Sequence, residues 1–137
     1  DHAGYELKGK VIEKLKAAGA TVTDYGTNSA DSCDYPDYAH PMADDVESGR
    51  SDFGVAICGS GNGISMTANK HQGIRCALCW DVELAHLARQ HNDANVLSMP
   101  ARFISVDKAF AIVDEFFATD FEGGRHVGRV NKIPVKK

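Results

Sequence analysis

Gly54-Val-Ala-Ile-Cys58-Gly-Ser60-Gly-Asn-Gly63-Ile-Ser65 reads as a buried strand that runs into a glycine-rich turn and then into a helix. Glycines at 59, 61 and 63 permit backbone conformations closed to other residues, so consecutive N–H groups converge on one concavity with the positive end of the following helix behind them. The turn is an anion pocket. Cys58 stands at its lip, in a field that favours the thiolate. A base beside an anion hole is the equipment for taking a proton next to a carbonyl.

Other glycine-rich loops do not fit. No Gly-Lys-Ser/Thr follows, as a Walker loop requires, and the glycine spacing misses the G-x-G-x-x-G dinucleotide fingerprint. A cysteine phosphatase loop needs an arginine six places after the cysteine, where this chain has Ile64. A buried, inert Cys58 is the plain alternative. Against it stands its place at the end of a strand, where open parallel sheets put their ligands.

Working outward, the 137 residues suit one domain with a sizeable core, and 43% hydrophobic with 25% charged residues is ordinary globular composition. The net charge of -4 argues against general nucleic-acid binding, and no apolar run is long enough to span a membrane. A soluble, intracellular chain is the expectation. Cys76-Ala-Leu-Cys79 matches C-x-x-C but lies in Ile74 to Trp80, which reads as a strand, where positions three apart face opposite sides. Reduced thiols, with no redox or zinc role, are the simpler reading.

Along the chain, Leu7, Val11, Ile12 and Leu15 mark a first helix that Gly19 ends, and Ala20 to Asp24 is β-rich. Tyr38, Met42 and Val46 mark a helix starting near Tyr38, because Pro41 is tolerated in a first turn. After the glycine turn the spacing predicts a helix over roughly Ile64 to His71, then a strand from Ile74 to Cys79. Asp81 is an N-cap for Val82 to Gln90, with Leu84 and Leu87 facing inward, and His91-Asn92-Asp93 is a polar break. Val96 to Met99 is a short strand, and Val106 to Phe117 a long amphipathic helix. Such alternation means a parallel sheet covered on both faces. Asp1-His2 stands just before a helix as Cys58 does, so a first strand is expected ahead of it and the polypeptide is expected to begin several residues earlier. In the tail, Arg125 and Arg129 are four apart, a spacing that puts both guanidinium groups on one helical face and suits a phosphate as well as solvent.

Asp1-His2-Ala-Gly4, Asp34-Tyr35-Pro36, Ile57 to Ser65, Ala68-Asn-Lys70, Arg89-Gln-His91-Asn92 and Gly123-Gly-Arg-His126, taken in order over nearly the whole chain, resemble the type B ribose-5-phosphate isomerases. The related galactose-6-phosphate isomerase subunits share the fold. The resemblance implies a three-layer α/β/α Rossmann-like domain over residues 1–137, with a parallel sheet of about five strands and a tail, 120–137, that contacts a partner subunit. It implies an aldose–ketose isomerase working through a cis-enediolate with no metal and no organic cofactor.

The resemblance also assigns roles. Cys58 is the base that moves the proton between carbons 1 and 2 of the sugar, and Ser60 shuttles the proton between the sugar oxygens. The amides of Gly59, Gly61, Asn62 and Gly63 hold the enediolate oxygen, where one such donor is worth about 3 kcal/mol of transition-state stabilisation. His91, with Asp1 close by, opens the sugar ring, and a neutral-range pKa suits it to the task. Asn92 and Tyr35 hold sugar hydroxyls or the ring oxygen. Phosphate falls to His2, Arg102, Arg125 and Arg129, some of them from a second subunit, so a homodimer or dimer of dimers with a shared active site is implied. Two other readings are a six-carbon substrate, allose or galactose 6-phosphate, and a phosphosugar-binding protein without turnover. Cys58, Ser60 and His91 speak against the last, since a pure binder has no use for a positioned base.

Overall fold

The computed structural model describes residues 2–135. Nine elements follow in order: α1 (His2–Ala17), α2 (Pro36–Glu47), β1 (Gly54–Cys58), α3 (Asn62–Ala68), β2 (Cys76–Leu78), α4 (Val82–Asn92), β3 (Val96–Pro100), α5 (Val106–Ala118) and α6 (His126–Val130). The strands are parallel in the order β1-β3-β2, with Gly54 to Cys58 opposite Val96 to Pro100. Crossover helices force that parallel arrangement.

Side-chain alternation on the strands builds two cores. Ile57, Leu97 and Met99 pack with Leu7 and Val11 of α1, Ala85 and Ala88 of α4, and Ile112, Val113 and Phe116 of α5. On the other face Ala56, Cys58 and Val96 pack with Ala39, Met42 and Val46 of α2 and Ile64 and Ala68 of α3. The three-layer α/β/α order expected from the sequence is therefore present. Cys58 faces the α2–α3 layer.

The sheet has three strands among the described residues, not about five. Ala20 to Asp24 forms no strand. A cavity of about 740 Å³, lined by Thr21 to Thr27 and by Gly54 to Ile57, lies between that segment and β1. Helix α2 starts at Pro36, not near Tyr38, because proline at the first helical position has its φ already set. Pro41 then lies inside the helix, where it leaves the Asp37 carbonyl without its usual N–H partner. Leu87 is 36% exposed, and Ala85, Ala88 and Arg89 take the inward positions instead. The helix α3 begins two residues before the expected Ile64 and ends three before the expected His71.

Candidate active site

At the C-terminal end of β1 the chain turns on Gly61, whose φ of +78° is a left-handed conformation that favours glycine. A Cβ there would also run into the Leu78 side chain. The Gly61 carbonyl accepts from Ser65 Oγ at 2.6 Å and from Ser98 Oγ at 3.1 Å, which fixes the peptide from helix and sheet at once. With the carbonyl so held, the Gly61 amide donates to Cys58 Sγ at 3.2 Å. Cys58 is 5% exposed, and this donor is the kind that an anionic sulfur uses.

The rest of the expected reacting end gathers here. Ser60 is exposed, and its Oγ accepts from the Asn62 amide at 3.2 Å. The Tyr35 ring and hydroxyl lie so close over Gly63 that a Cβ there has no room. Arg102 folds its guanidinium over Gly59, where an added Cβ would stand 3.2 Å from Nε, and the Arg102 amide donates to the Gly59 carbonyl at 3.1 Å. Cys58, Ser60, Tyr35, Arg102 and the Gly59–Gly63 loop thus form one constellation. Asp1 and the side chain of His2 lie outside the described residues.

A second constellation forms elsewhere. Helix α4 continues through the expected polar break to Asn92, and Asp93 closes it in a left-handed conformation, so His91 sits in the last helical turn. Arg89, 7% exposed, holds that end: Nη1 donates to the Ala94 carbonyl at 2.7 Å and to Asp93 Oδ1 at 2.9 Å, and Nε to the Thr119 carbonyl at 3.2 Å. The Glu122 amide donates to the Gln90 carbonyl at 2.9 Å, which docks the tail beside His91. Gly123 and Gly124, both left-handed, turn the chain into α6 with Arg125 at its N-cap. The His91 and His126 rings then stack at 4.4 Å, with Asn92, Arg125 and Arg129 exposed around them.

The two constellations do not meet within one chain. Cys58 pairs with Pro100 at the C-terminal end of β3, whereas His91 leads into the N-terminal end of β3 at Val96. Four strand steps separate those ends by about 13 Å. The resemblance implies that some of these residues come from a second subunit, and it gives no role to His126 or Glu122. His126 lay in a quoted motif, but its burial depends on contacts between distant segments.

The ribose/galactose isomerase family model matches residues 1–133. The chain belongs to this family. It is 47% identical over 134 residues to a probable ribose-5-phosphate isomerase B of Mycoplasma pneumoniae, an alignment covering 97% of this chain and 88% of that protein. The structure of Clostridium thermocellum ribose-5-phosphate isomerase B superposes with a TM-score of 0.95 at 47% identity, covering 97% of this chain and 90% of the other. That of the Mycoplasma genitalium isomerase B with bound ribulose 5-phosphate superposes at 0.93 with 44% identity, covering 97% and 89%. Within this family the Cys58 loop and the Rossmann-like layering agree with the expected fold. Both thiols of the C-x-x-C pair are free, and burial pushes Cys76 up to about 11 and Cys79 up to about 12. Among the described residues no helix is long and apolar enough to cross a membrane.

Proposed function

We propose that this protein interconverts ribose 5-phosphate and ribulose 5-phosphate. The observation that carries the reading is the Gly61 amide directed at Cys58 Sγ in a loop clamped by Ser65 and Ser98. Relatives named for this reaction, one of them holding ribulose 5-phosphate, support the pentose over a six-carbon sugar.

In the forward direction the Cys58 thiolate removes the proton from C2, and the electron pair moves through the new C1–C2 double bond onto O1. Amides of Gly59, Gly61, Asn62 and Gly63 stabilise that oxygen. Cys58 returns the proton to C1 while Ser60 carries the hydroxyl proton from one oxygen to the other. Before this, His91 with Asp1 opens the ring. Asn92 and Tyr35 hold hydroxyls, and His2, Arg102, Arg125 and Arg129 take the phosphate. These residues need no metal or organic cofactor for the sequence of steps.

Because the base and the ring-opening histidine stand at opposite ends of one sheet, the working unit is a homodimer, alone or doubled. In it His91 and the 120–137 tail of one subunit complete the Cys58 loop of the other. The enzyme works in the cytoplasm on a small sugar phosphate, apart from membranes and nucleic acids.

The test is turnover of ribose 5-phosphate by wild type and Cys58→Ala in the presence of chelator, with allose 6-phosphate as a second substrate. Turnover of the pentose that survives chelation and disappears in the variant is expected. Binding of the sugar without turnover by the wild type would overturn the reading in favour of a sensor.

A further inference from the structure

His91 and His126 present their ε-nitrogens to a single carboxylate oxygen: each Nε2 lies 3.7 Å from Glu122 Oε2. That distance is too long for a hydrogen bond. It is close to the donor–donor edge of a tetrahedron built on bonds of about 2.1 Å, which is about 3.4 Å. One donor atom from each of the three residues lies within 4.8 Å of the others.

A second observation points the same way. The His126 side chain is 8% exposed, and its Nε2 has no hydrogen-bond partner. Buried polar atoms left so are uncommon, and this one is aimed at the Glu122 carboxylate with a gap between them. Burial, then the neighbouring His91 and Arg125, hold His126 below the ordinary imidazole value although Glu122 opposes the shift.

We infer that His91, Glu122 and His126 form a binding site for a divalent transition-metal ion of the zinc class, and that the ion inhibits the enzyme by occupying His91. The inhibitory half rests on the isomerase reading above. Two imidazoles and one carboxylate suit Zn²⁺ or Co²⁺, whereas Mg²⁺ and Ca²⁺ prefer all-oxygen shells. The frame is already built. The Glu122–Gln90 backbone bond, the Arg89 clamp and the left-handed glycine pair hold the donors before any ion arrives. Glu122 is half exposed, which leaves a coordination position open to water and makes the site accessible. The guanidinium groups of Arg125 and Arg129 oppose a cation, so binding is reversible and the ion is an inhibitor, not a structural part.

Chelator-stripped protein is titrated with Co²⁺ alone, followed by visible absorption, and with Zn²⁺ by calorimetry. One equivalent per chain is expected, with the intense d–d bands of a four-coordinate site and no thiolate charge-transfer band. Glu122→Gln should weaken binding by about 100-fold and shift the Zn²⁺ inhibition midpoint, read against the variant's own uninhibited rate, by the same factor. Glu122→Asp, which keeps a shortened carboxylate, should fall between. A thiolate band would overturn the inference by placing the ion on a cysteine. So would binding that ignores Glu122→Gln and is lost in His71→Gln, which places it on His71, Asp44 and Glu47. Co²⁺ binding is read without turnover. A chain that bound the ion as described but isomerised nothing would overturn the isomerase reading and the inhibitory role while the site stood.

Discussion

Cys58 and His91 stand at opposite ends of the β1–β3 pair, Cys58 opposite Pro100 and His91 just ahead of Val96. An acid–base pair acting on one small sugar must close to hydrogen-bond reach of it, so the proposed reaction requires two half-sites, each completed by another copy. Mixing is therefore informative. Cys58→Ala and His91→Ala chains, each inactive alone, should recover about one quarter of the wild-type rate when unfolded and refolded together, since half of randomly paired dimers are mixed and each carries one intact site of two. A mixture as inactive as its parents would place both residues in one chain's site.

Removing the thiol should act on chemistry more than on binding. In Cys58→Ala we expect kcat to fall by about 1000-fold with KM nearly unchanged, the pattern for a lost proton-transfer group. Initial-rate kinetics on ribose 5-phosphate measure this. A large rise in KM with kcat preserved would assign Cys58 to substrate binding.

Gly61→Ala combines a left-handed φ with a Cβ directed into Leu78. The expected cost is about 2 kcal/mol, which lowers Tm by about 6–8 °C. Turnover should fall as well, because the amide that faces Cys58 moves with the peptide. An alanine variant with unchanged Tm and rate would show that the loop tolerates another geometry.

Arg89 is the buried cation that joins the end of α4 to Ala94 and Thr119, and its guanidinium lies over the Phe53 ring at 5.1 Å and the Phe116 ring at 5.8 Å. Arg89→Met keeps much of the volume but leaves two carbonyls and Asp93 without their donor. We expect a loss of about 3 kcal/mol in urea unfolding. An unchanged midpoint would mean that water replaces the guanidinium at no cost.

Alkaline pH should weaken the fold through β2. Burial holds Cys76 at about 11 and Cys79 at about 12, above the ordinary thiol value of 9.0. Above pH 9 the unfolded chain releases thiol protons that the folded chain keeps, so stability falls as pH rises from 9 towards those values. Below pH 9 both states hold the protons and the effect vanishes. Comparing the pH dependence of Tm in wild type and Cys76→Ala/Cys79→Ala checks this: the double variant should lose less above pH 9.

Much of this was readable before any coordinates. Periodicity located α1, α4 and α5, Asp81 caps the helix that follows it, and the glycine spacing at 59, 61 and 63 located the turn after β1. Local pattern cannot say what a segment pairs with, and Ala20 to Asp24 has strand composition without a strand beside it. It also misplaced Leu87, because the α4 face that packs is chosen by the small residues Ala85 and Ala88 against α5. The separation of Cys58 from His91 follows from the parallel register of β1 and β3, which the pattern within either strand does not encode. The His91–Glu122–His126 grouping joins α4 to the tail through backbone bonds that no single segment encodes.

Ser98 is the one polar side chain in the buried run of β3, fully enclosed and bonded to the Gly61 carbonyl. An alanine or valine at this position would satisfy every packing demand of the middle strand, yet it would release the peptide that faces Cys58. The buried middle strand and the Gly61 turn thus share one hydrogen bond, so a change at Ser98 reaches Cys58 through a peptide that neither side chain belongs to.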